Sequence, residues 1–220
     1  MTHRRPAQAA LFDFDGTFAD TAPDLAAAVN TMRTKRGLEP LPSDTVRPYA
    51  SMGARGLLRI GFDMTPEHAD YAAMKDEFLV NYAAAICVHT RLFDGMHDLI
   101  GELTARSIIW GIVTNKATRF TSPLVRELSV TPACVVCGDS TPHLKPHPAP
   151  LLLAAKQLKL SPADCVYVGD DLRDIQAARA AGMRPVAVEW GNPSPDNAGP
   201  REWNAEAVIA TSRAFSVSRA

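Results

Sequence analysis

The amino-acid sequence predicts an α/β protein with a doubly wound parallel sheet and a small α-helical cap inserted after the first strand. Short apolar runs alternate with segments of helical periodicity over most of the 220 residues, which is typical of a parallel sheet covered by helices on both faces. Residues 21–89 break this alternation, because they contain helical signals and no convincing strand. We therefore expect a core domain of residues 1–20 and 90–220, and a cap domain of residues 21–89.

The strands of the core are predicted from apolar runs bounded by turn residues. These runs are Ala9–Phe14, Ile108–Thr114, Ala133–Cys137, Cys165–Gly169 and Arg184–Val188. A helix is indicated between the first two core strands by apolar residues at i, i+3, i+4 and i+7, namely Met96, Leu99, Ile100 and Leu103. A later helix is predicted over Leu172–Ala181, because Gly182 is a residue that commonly ends helices.

The helical cap is predicted from two long segments. Thr21 and Asp24 have the spacing of a capping box and predict the start of the first helix. Thr65 followed by Pro66 predicts the start of the second. Its apolar stripe consists of Tyr71, Met74, Phe78 and Tyr82. Because the insertion directly follows the first strand, we expect it to lie above the carboxyl end of that strand.

The composition is that of an ordinary globular protein, with 46% hydrophobic residues, 21% charged residues and a formal net charge of -1. No run of Lys and Arg would attract nucleic acid or an anionic membrane, so a small-molecule partner is expected. His3, Arg4 and Arg5 precede an apolar stretch that ends at Asp13, too soon for a signal peptide. No segment approaches the ~18 apolar residues of a membrane span. We expect a cytoplasmic protein, and the sequence does not indicate its oligomeric state.

The four cysteines fit that compartment as free thiols. Cys134 and Cys137 form a C-x-x-C within a predicted strand, where an odd spacing directs the two sulfurs to opposite faces. We therefore expect buried structural cysteines rather than zinc ligands or a redox pair.

Two carboxylates, Asp13 and Asp15, stand at the end of the first predicted strand. Such charges are costly there without a partner, and Mg²⁺ is a hard cation that takes oxygen ligands. Gly16 permits a sharp turn after the pair, and Thr17 offers a hydroxyl and a backbone N–H to an anion. The pair alone is weak evidence, because Asp-Gly is also an ordinary turn.

Polar residues also follow the next two core strands. Thr114 and Asn115 place a hydroxyl and an amide at the same edge of the sheet, where a phosphate oxygen would find donors. Thr114 alone could equally be a helix cap. Lys145 is followed by a proline that restricts its backbone, so it can present a fixed positive charge.

The fourth core strand runs into three acids, Asp170, Asp171 and Asp174. Asp171 and Asp174 can favour a helix N-terminus electrostatically. Asp170 stands at the strand edge and is the better metal ligand. These acids and the earlier polar positions would all lie at the carboxyl ends of parallel strands, where α/β sheets bind ligands.

In order and spacing, these residues resemble the four motifs of the haloacid dehalogenase-like hydrolase superfamily. The matching residues are Asp13, Asp15, Gly16, Thr17, Thr114, Lys145, Pro146, Gly169, Asp170, Asp171 and Asp174. The resemblance covers nearly the whole chain and implies a Rossmann-like core with a small helical cap. The length and ending resemble the phosphoglycolate phosphatase group. Val88–Met96 and Val168–Ile175 are similar to segments of bacterial members that dephosphorylate N-acetylmuramic acid 6-phosphate.

The resemblance implies a phosphomonoesterase acting on a small carboxylate-bearing phosphate ester, either 2-phosphoglycolate or N-acetylmuramic acid 6-phosphate. Asp13 would attack phosphorus and form an aspartyl phosphate. Asp15 would protonate the leaving group and then take a proton from the hydrolytic water. Thr114 and Lys145 would bind the phosphoryl oxygens.

The same resemblance implies Mg²⁺ as the cofactor. Asp13, the main-chain carbonyl of Asp15 and Asp170 would hold the ion. Asp174 and Asp171 would orient the outer shell of the metal.

Substrate-binding roles are expected for Thr17, Asn115 and Arg55. Arg55 lies in the predicted cap loop Ser51–Gly56, where it would either pair with a substrate carboxylate or be a solvated residue at a helix start. His89 and His147 fall near the expected site, and structural roles are expected for both.

Several other functions share part of this pattern. A dehalogenase is disfavoured because Asp15 has no use in displacing halide. A phosphosugar mutase shares all four motifs and differs by passing the phosphoryl group to a sugar hydroxyl instead of water. A phosphorylatable signalling module would need a long-lived phosphoaspartate, and Asp15 and the cap argue against it. A noncatalytic binding protein is the least expected, since every expected catalytic position is filled.

Overall fold

The computed structural model describes residues 6–215, so the basic start at His3, Arg4 and Arg5 lies outside the described residues. The strands are β1 (Ala9–Phe12), β2 (Ala19–Asp20), β3 (Arg91–Leu92), β4 (Ile109–Val113), β5 (Val135–Val136), β6 (Cys165–Gly169), β7 (Arg184–Val188) and β8 (Ala207–Ile209). The α-helices are α1 (Ala22–Lys35), α2 (Ser43–Val46), α3 (Gly53–Phe62), α4 (Tyr71–Ala84), α5 (Met96–Ala105), α6 (Thr118–Glu127), α7 (Ala149–Leu158) and α8 (Leu172–Ala181).

Among the described residues, six parallel strands form one sheet in the order β5-β4-β1-β6-β7-β8. Side chains alternate across β1, so that Ala10 and Phe12 pack with α5 and α6 on one face. Ala9 and Leu11 pack with α7 and α8 on the other face. Helices therefore cover both faces of a parallel sheet, and the predicted doubly wound α/β fold is confirmed.

The predicted strands agree with the structure to different degrees. β6 and β7 have the predicted bounds, whereas β1 and β4 are shorter than predicted. β5 covers only Val135–Val136 of the predicted Ala133–Cys137. β8 was not predicted, because a run of three residues has too little pattern to indicate a strand. The predicted bounds of the helix over Leu172–Ala181 are confirmed.

Helices α1–α4, together with a 3-10 helix over Arg47–Met52, form a separate helical layer with its own apolar core. Its buried residues include Leu25, Val29, Met32, Leu57, Leu58, Met74, Phe78 and Tyr82. The chain enters this layer through β2 and leaves it through β3, and these two strands pair antiparallel. The division into a core of residues 1–20 and 90–220 and a cap of residues 21–89 stays a prediction that this packing supports.

The predicted capping box at the start of α1 is wrong, although the helix begins where predicted. The Thr21 hydroxyl donates to the Asp15 carboxylate instead of accepting from the helix backbone. The buried Asp24 carboxylate accepts from the backbone N–H groups of His89 and Thr90 and from the Thr90 hydroxyl. Both side chains therefore bind partners outside the helix, which local spacing does not reveal.

The predicted helix start at Thr65 and Pro66 is also wrong, because α4 begins at Tyr71. The N–H of His68 donates to the carbonyl of Thr65, and the N–H of Tyr71 donates to that of His68. These i→i+3 bonds form successive turns instead of a helix. The predicted stripe is confirmed for its last three members, since Met74, Phe78 and Tyr82 are buried, whereas Tyr71 is half-buried.

All four cysteines are free. Cys134 and Cys137 are buried, as predicted, and Cys134 packs in the same apolar cluster as Cys165. Within residues 6–215, no helix has both the length and the apolar character that crossing a membrane requires.

We expect Asp24→Ala to lower the free energy of unfolding by about 2–4 kcal/mol, because it leaves the buried donors of Thr90 without an acceptor. Asp98→Ala is the matched control, since Asp98 is an exposed acid at the corresponding position in the first turn of α5. Urea denaturation measures both variants. Equal losses in the two would show that the Asp24 contacts to residues 89 and 90 carry no special stability.

Candidate active site

The register of the sheet brings the ends of three strands together. Phe12 of β1 pairs with Ile112 of β4 on one side and with Val168 of β6 on the other. The next residue, Asp13, donates its backbone N–H to the carbonyl of Val168 at 2.9 Å. The polar residues that follow these strands therefore meet at one carboxyl edge, as the sequence predicts.

Three acids form a compact cluster at this edge. Asp13, Asp170 and Asp174 each direct a carboxylate oxygen inward, and these oxygens lie within 4.8 Å of one another. Asp170 is 0% exposed and Asp174 is 1% exposed. Three negative charges this close together in a buried place require compensation by cations or protons.

Lys145 supplies one compensating charge from the loop after β5. Its Nζ lies 2.7 Å from Asp13 Oδ1 and 2.7 Å from Asp174 Oδ1, and it donates to the Tyr167 hydroxyl at 2.8 Å. The side chain of Asn115 holds the main chain of this lysine in place. Its amide oxygen accepts from the Lys145 N–H at 2.8 Å, and its amide nitrogen donates to the Lys145 carbonyl at 3.0 Å.

Asp170 has only neutral hydrogen-bond donors among the described residues. Thr17 Oγ1 donates at 2.9 Å, the Asn192 N–H at 2.8 Å and Ser51 Oγ at 3.1 Å. Burial, together with the charges of Asp13 and Asp174, raises the pKa of Asp170 well above its ordinary value. An all-oxygen set with excess negative charge is the donor chemistry that a hard divalent cation prefers, so these residues fit Mg²⁺.

The backbone at two glycines, Gly16 and Gly191, lies very close to the Asp170 side chain. A side chain at Gly16 would place its Cβ 2.1 Å from Asp170 Oδ2, and Gly16 has a φ of +81°. A side chain at Gly191 would place its Cβ 2.2 Å from the Asp170 Cβ. Only glycine therefore fits these two positions, which hold the carboxylate in place.

Asp15 lies beside this cluster with partners of its own. Lys116 Nζ contacts its two carboxylate oxygens at 2.9 and 3.2 Å, and the Thr21 hydroxyl donates to Oδ1. Lys116 also lies over the ring of Tyr82 from α4, 4.7 Å from its centroid. Burial lowers the pKa of Lys116, but the charge of Asp15, the contact with Tyr82 and the hydrogen bonds to both together outweigh burial and raise that pKa above its ordinary value.

Asp171 has hydrogen-bond partners of its own beside the acid cluster, and its predicted place around the metal stays a prediction. It is the N-cap of α8, where it accepts from the Arg173 N–H, while Asp174 accepts from the Asp171 N–H in a capping box. The Asp171 carboxylate also forms an ion pair with the Arg173 guanidinium, with Nε 2.9 Å from Oδ1. Arg173 in turn donates to the carbonyl of Ser51 at 2.9 Å and so joins the core to the helical layer.

A cavity of about 400 Å³ lies between the sheet edge and the helical layer. Of the predicted residues, Asp13, Asp15, Thr114, Asn115, Lys145, Asp171 and Asp174 line it. Its other lining residues include Leu25, Ala50, Ser51, Met52, Lys75, Phe78, Leu79, Tyr82, Lys116, Arg119, Phe120 and Arg173. Here the acid cluster meets a space large enough for a small ligand.

Two predicted substrate-binding residues lie outside this cavity. Arg55 is exposed in α3, because the predicted loop Ser51–Gly56 is the end of a 3-10 helix followed by the first turn of α3. Thr17 is fully buried, and its hydroxyl is engaged by Asp170. His89 and His147 also do not line the cavity. The backbone N–H of His89 donates to the Asp24 carboxylate, and the ring Nδ1 of His147 accepts from the Ala149 N–H.

Sequence reasoning did not identify Lys116 or Arg173 as site residues, and it included Ser51 only as the first residue of the predicted cap loop Ser51–Gly56. Lys116 had a weak signal, because it directly follows the predicted pair at 114 and 115. The contacts of Ser51 with Asp170 and with Arg173 gave no signal, because both join segments distant in sequence.

Comparison with known proteins agrees with this geometry. Residues 10–188 match a family model described as haloacid dehalogenase-like hydrolase. A Pseudomonas putida protein named N-acetylmuramic acid 6-phosphate phosphatase is 41% identical over 92% of this chain and 91% of its own length. A Xanthomonas campestris protein named phosphoglycolate phosphatase is also 41% identical, over 92% of this chain and 91% of its own.

A solved structure described as a predicted phosphoglycolate phosphatase from Haemophilus somnus superposes with a TM-score of 0.82. It is 25% identical in sequence and covers 94% of this chain and 96% of its own. Family model, relatives and fold all agree, and the chain belongs to the haloacid dehalogenase-like hydrolase family.

Proposed function

We propose that this hydrolase is a Mg²⁺-dependent phosphomonoesterase that works through an aspartyl phosphate on Asp13. The observation that carries the proposal is the buried cluster of Asp13, Asp170 and Asp174 around Lys145, open to one cavity. The substrate is a carboxylate-bearing phosphate ester, 2-phosphoglycolate or N-acetylmuramic acid 6-phosphate. This choice is supported by two relatives, one named as a phosphatase of N-acetylmuramic acid 6-phosphate and the other as a phosphatase of phosphoglycolate.

In this proposal Asp13, Asp170 and the main-chain carbonyl of Asp15 hold the metal. When bound, Mg²⁺ neutralises phosphoryl charge and lets an anionic ester approach an anionic nucleophile. Asp174 remains paired with Lys145 and fixes the position of that ammonium group. The fully buried Asp170, which has no basic partner among the described residues, gains the most from the cation.

Asp13 is the nucleophile because it lines the cavity at the end of β1 and is the least buried of the three clustered acids. Asp174 also lines the cavity and contacts Lys145, but its carboxylate accepts from the Asp171 N–H in the capping box of α8. A carboxylate oxygen of Asp13 forms a bond to phosphorus, and the ester P–O bond breaks. Lys145 and the Thr114 hydroxyl bind the phosphoryl oxygens as their charge redistributes. Asn115 acts indirectly, by holding the main chain of Lys145.

Asp15 moves the protons. It donates one to the departing alkoxide, and then takes one from the water that attacks phosphorus, so that the bond to Asp13 breaks and inorganic phosphate leaves. Lys116 and the Thr21 hydroxyl hold the Asp15 carboxylate beside the cavity, where a leaving group or a water molecule can reach it.

We expect Mg²⁺-dependent phosphate release from at least one of 2-phosphoglycolate and N-acetylmuramic acid 6-phosphate in a panel that also contains sugar phosphates and nucleotides. Asp13→Asn should lower kcat by at least about 10³-fold, because an amide is not a nucleophile. Asp98→Asn, at an exposed site, should retain wild-type activity. Release from no ester would contradict the proposed reaction, and substantial activity in Asp13→Asn would contradict the nucleophile.

We also expect millimolar Mg²⁺ to raise the Tm by about 5 °C, since an ion that binds only the folded state stabilises it. Asp170→Asn should remove this response, because it removes the buried charge that has no basic partner. Differential scanning fluorimetry measures the shift without any turnover, with Asp98→Asn as control. An unchanged response in Asp170→Asn would show that the ion binds elsewhere.

A further inference from the structure

We propose that Lys75 and Arg119 form a second anion-binding position at the mouth of the cavity, which selects phosphate esters carrying a carboxylate a sugar ring away from the phosphate. The inference rests on the proposed phosphatase function and names the substrate class of the same site. Both residues line the cavity. Neither belongs to the sequence motifs.

Helix α4 sets the distance between this position and the reacting end of the cavity. Lys75, Phe78 and Tyr82 all line the cavity and recur at helical spacing, so they share one face of α4. Tyr82 lies over Lys116, which pairs with Asp15. Lys75 is seven residues before Tyr82, which places its Cα about 10 Å further along the helix axis.

Helix α6 supplies the second cation from the core. The guanidinium of Arg119 lies over the ring of Phe120, 4.6 Å from its centroid. Phe120 in turn contacts Tyr82, with ring centroids 5.5 Å apart. Because this aromatic contact joins α4 to α6, Lys75 and Arg119 belong to adjoining walls of the same cavity.

The two residues differ from the other cations of the cavity in their partners. Lys145, Lys116 and Arg173 each pair with an aspartate. Within residues 6–215, no carboxylate forms an ion pair with Lys75 or Arg119. The charge of Arg119 also acts on the exposed carboxylate of Asp139, which lies beyond ion-pair distance. Both cations can therefore still bind a ligand, and a carboxylate is a group that an ammonium and a guanidinium both bind.

Apolar side chains also line the cavity, among them Leu25, Phe78, Leu79 and Phe120. Phe78 lies between Lys75 and Tyr82 on the same face of α4. A two-carbon ester such as 2-phosphoglycolate is shorter than the ~10 Å between the Cα atoms of Tyr82 and Lys75, so we expect it not to engage both ends of the cavity. An amino-sugar phosphate with an ether-linked carboxylate has the required length, and its ring and acetyl group suit the apolar wall.

The test compares two esters that share the sugar ring. N-acetylmuramic acid 6-phosphate carries the carboxylate, and N-acetylglucosamine 6-phosphate lacks it. The measured quantity is the ratio of kcat/KM for the first ester to that for the second. We expect Lys75→Met and Arg119→Met each to lower this ratio about 10-fold, mainly through KM, because a bond to a charged group is lost.

Two variants serve as controls. Arg55→Met removes an exposed arginine of the helical layer that lies outside the cavity, and Lys156→Met removes an exposed lysine of α7. Both should keep the wild-type ratio. The double variant Lys75→Met/Arg119→Met should lower it about 100-fold if the two losses add.

An unchanged ratio in both single variants would overturn the proposal, as would a selective loss in Arg55→Met. Faster wild-type turnover of 2-phosphoglycolate than of N-acetylmuramic acid 6-phosphate would also overturn it, while leaving the phosphatase function intact. Failure of the wild-type protein to hydrolyse any ester is a separate outcome, which contradicts the function itself and the inference with it.

Discussion

The site depends on one electrostatic constraint, the burial of three carboxylates around a single ammonium group. Carboxylate oxygens of Asp13, Asp170 and Asp174 lie within 4.8 Å of one another. Lys145 balances only part of their charge. Buried ions cost several kcal/mol each without compensation. In the proposed function a Mg²⁺ ion would supply the missing positive charge, and the same charge would attract a phosphate group. Asn115 and the close backbone at Gly16 serve this cluster by fixing its members.

The helical layer adds what the sheet edge lacks. Ser51 donates to Asp170, Arg173 holds the carbonyl of Ser51, and Tyr82 covers Lys116. Each of these contacts joins a residue of the layer to a charged group of the core. In the proposed function the core would provide chemistry that depends only on phosphate, whereas the layer, which lines the cavity, would determine which ester fits.

The sequence predicted the parts of the molecule that local pattern encodes. Buried strands such as β6 and β7 are apolar runs, and polar residues that follow such runs must lie at one sheet edge, which is why Asp13 and Asp170 were identified together. The pairings of Asp24 with Thr90 and of Lys116 with Asp15 join segments far apart in sequence, so spacing could not reveal them. For the same reason the sequence left two roles open for Arg55, because only the packed helices determine which cations face the cavity.

The most direct test of the account is chemical trapping of the phosphorylated enzyme. Borohydride reduces an aspartyl phosphate to homoserine, which peptide mass spectrometry locates in the chain. The enzyme is mixed with Mg²⁺ and an ester that it hydrolyses, and the reaction is quenched rapidly into borohydride. Homoserine should then be found at position 13 of the wild-type chain, and the Asp13→Asn variant should contain none. Homoserine at another acid, or turnover without any reduced residue, would contradict the claim that the buried cluster serves Asp13 as a nucleophile.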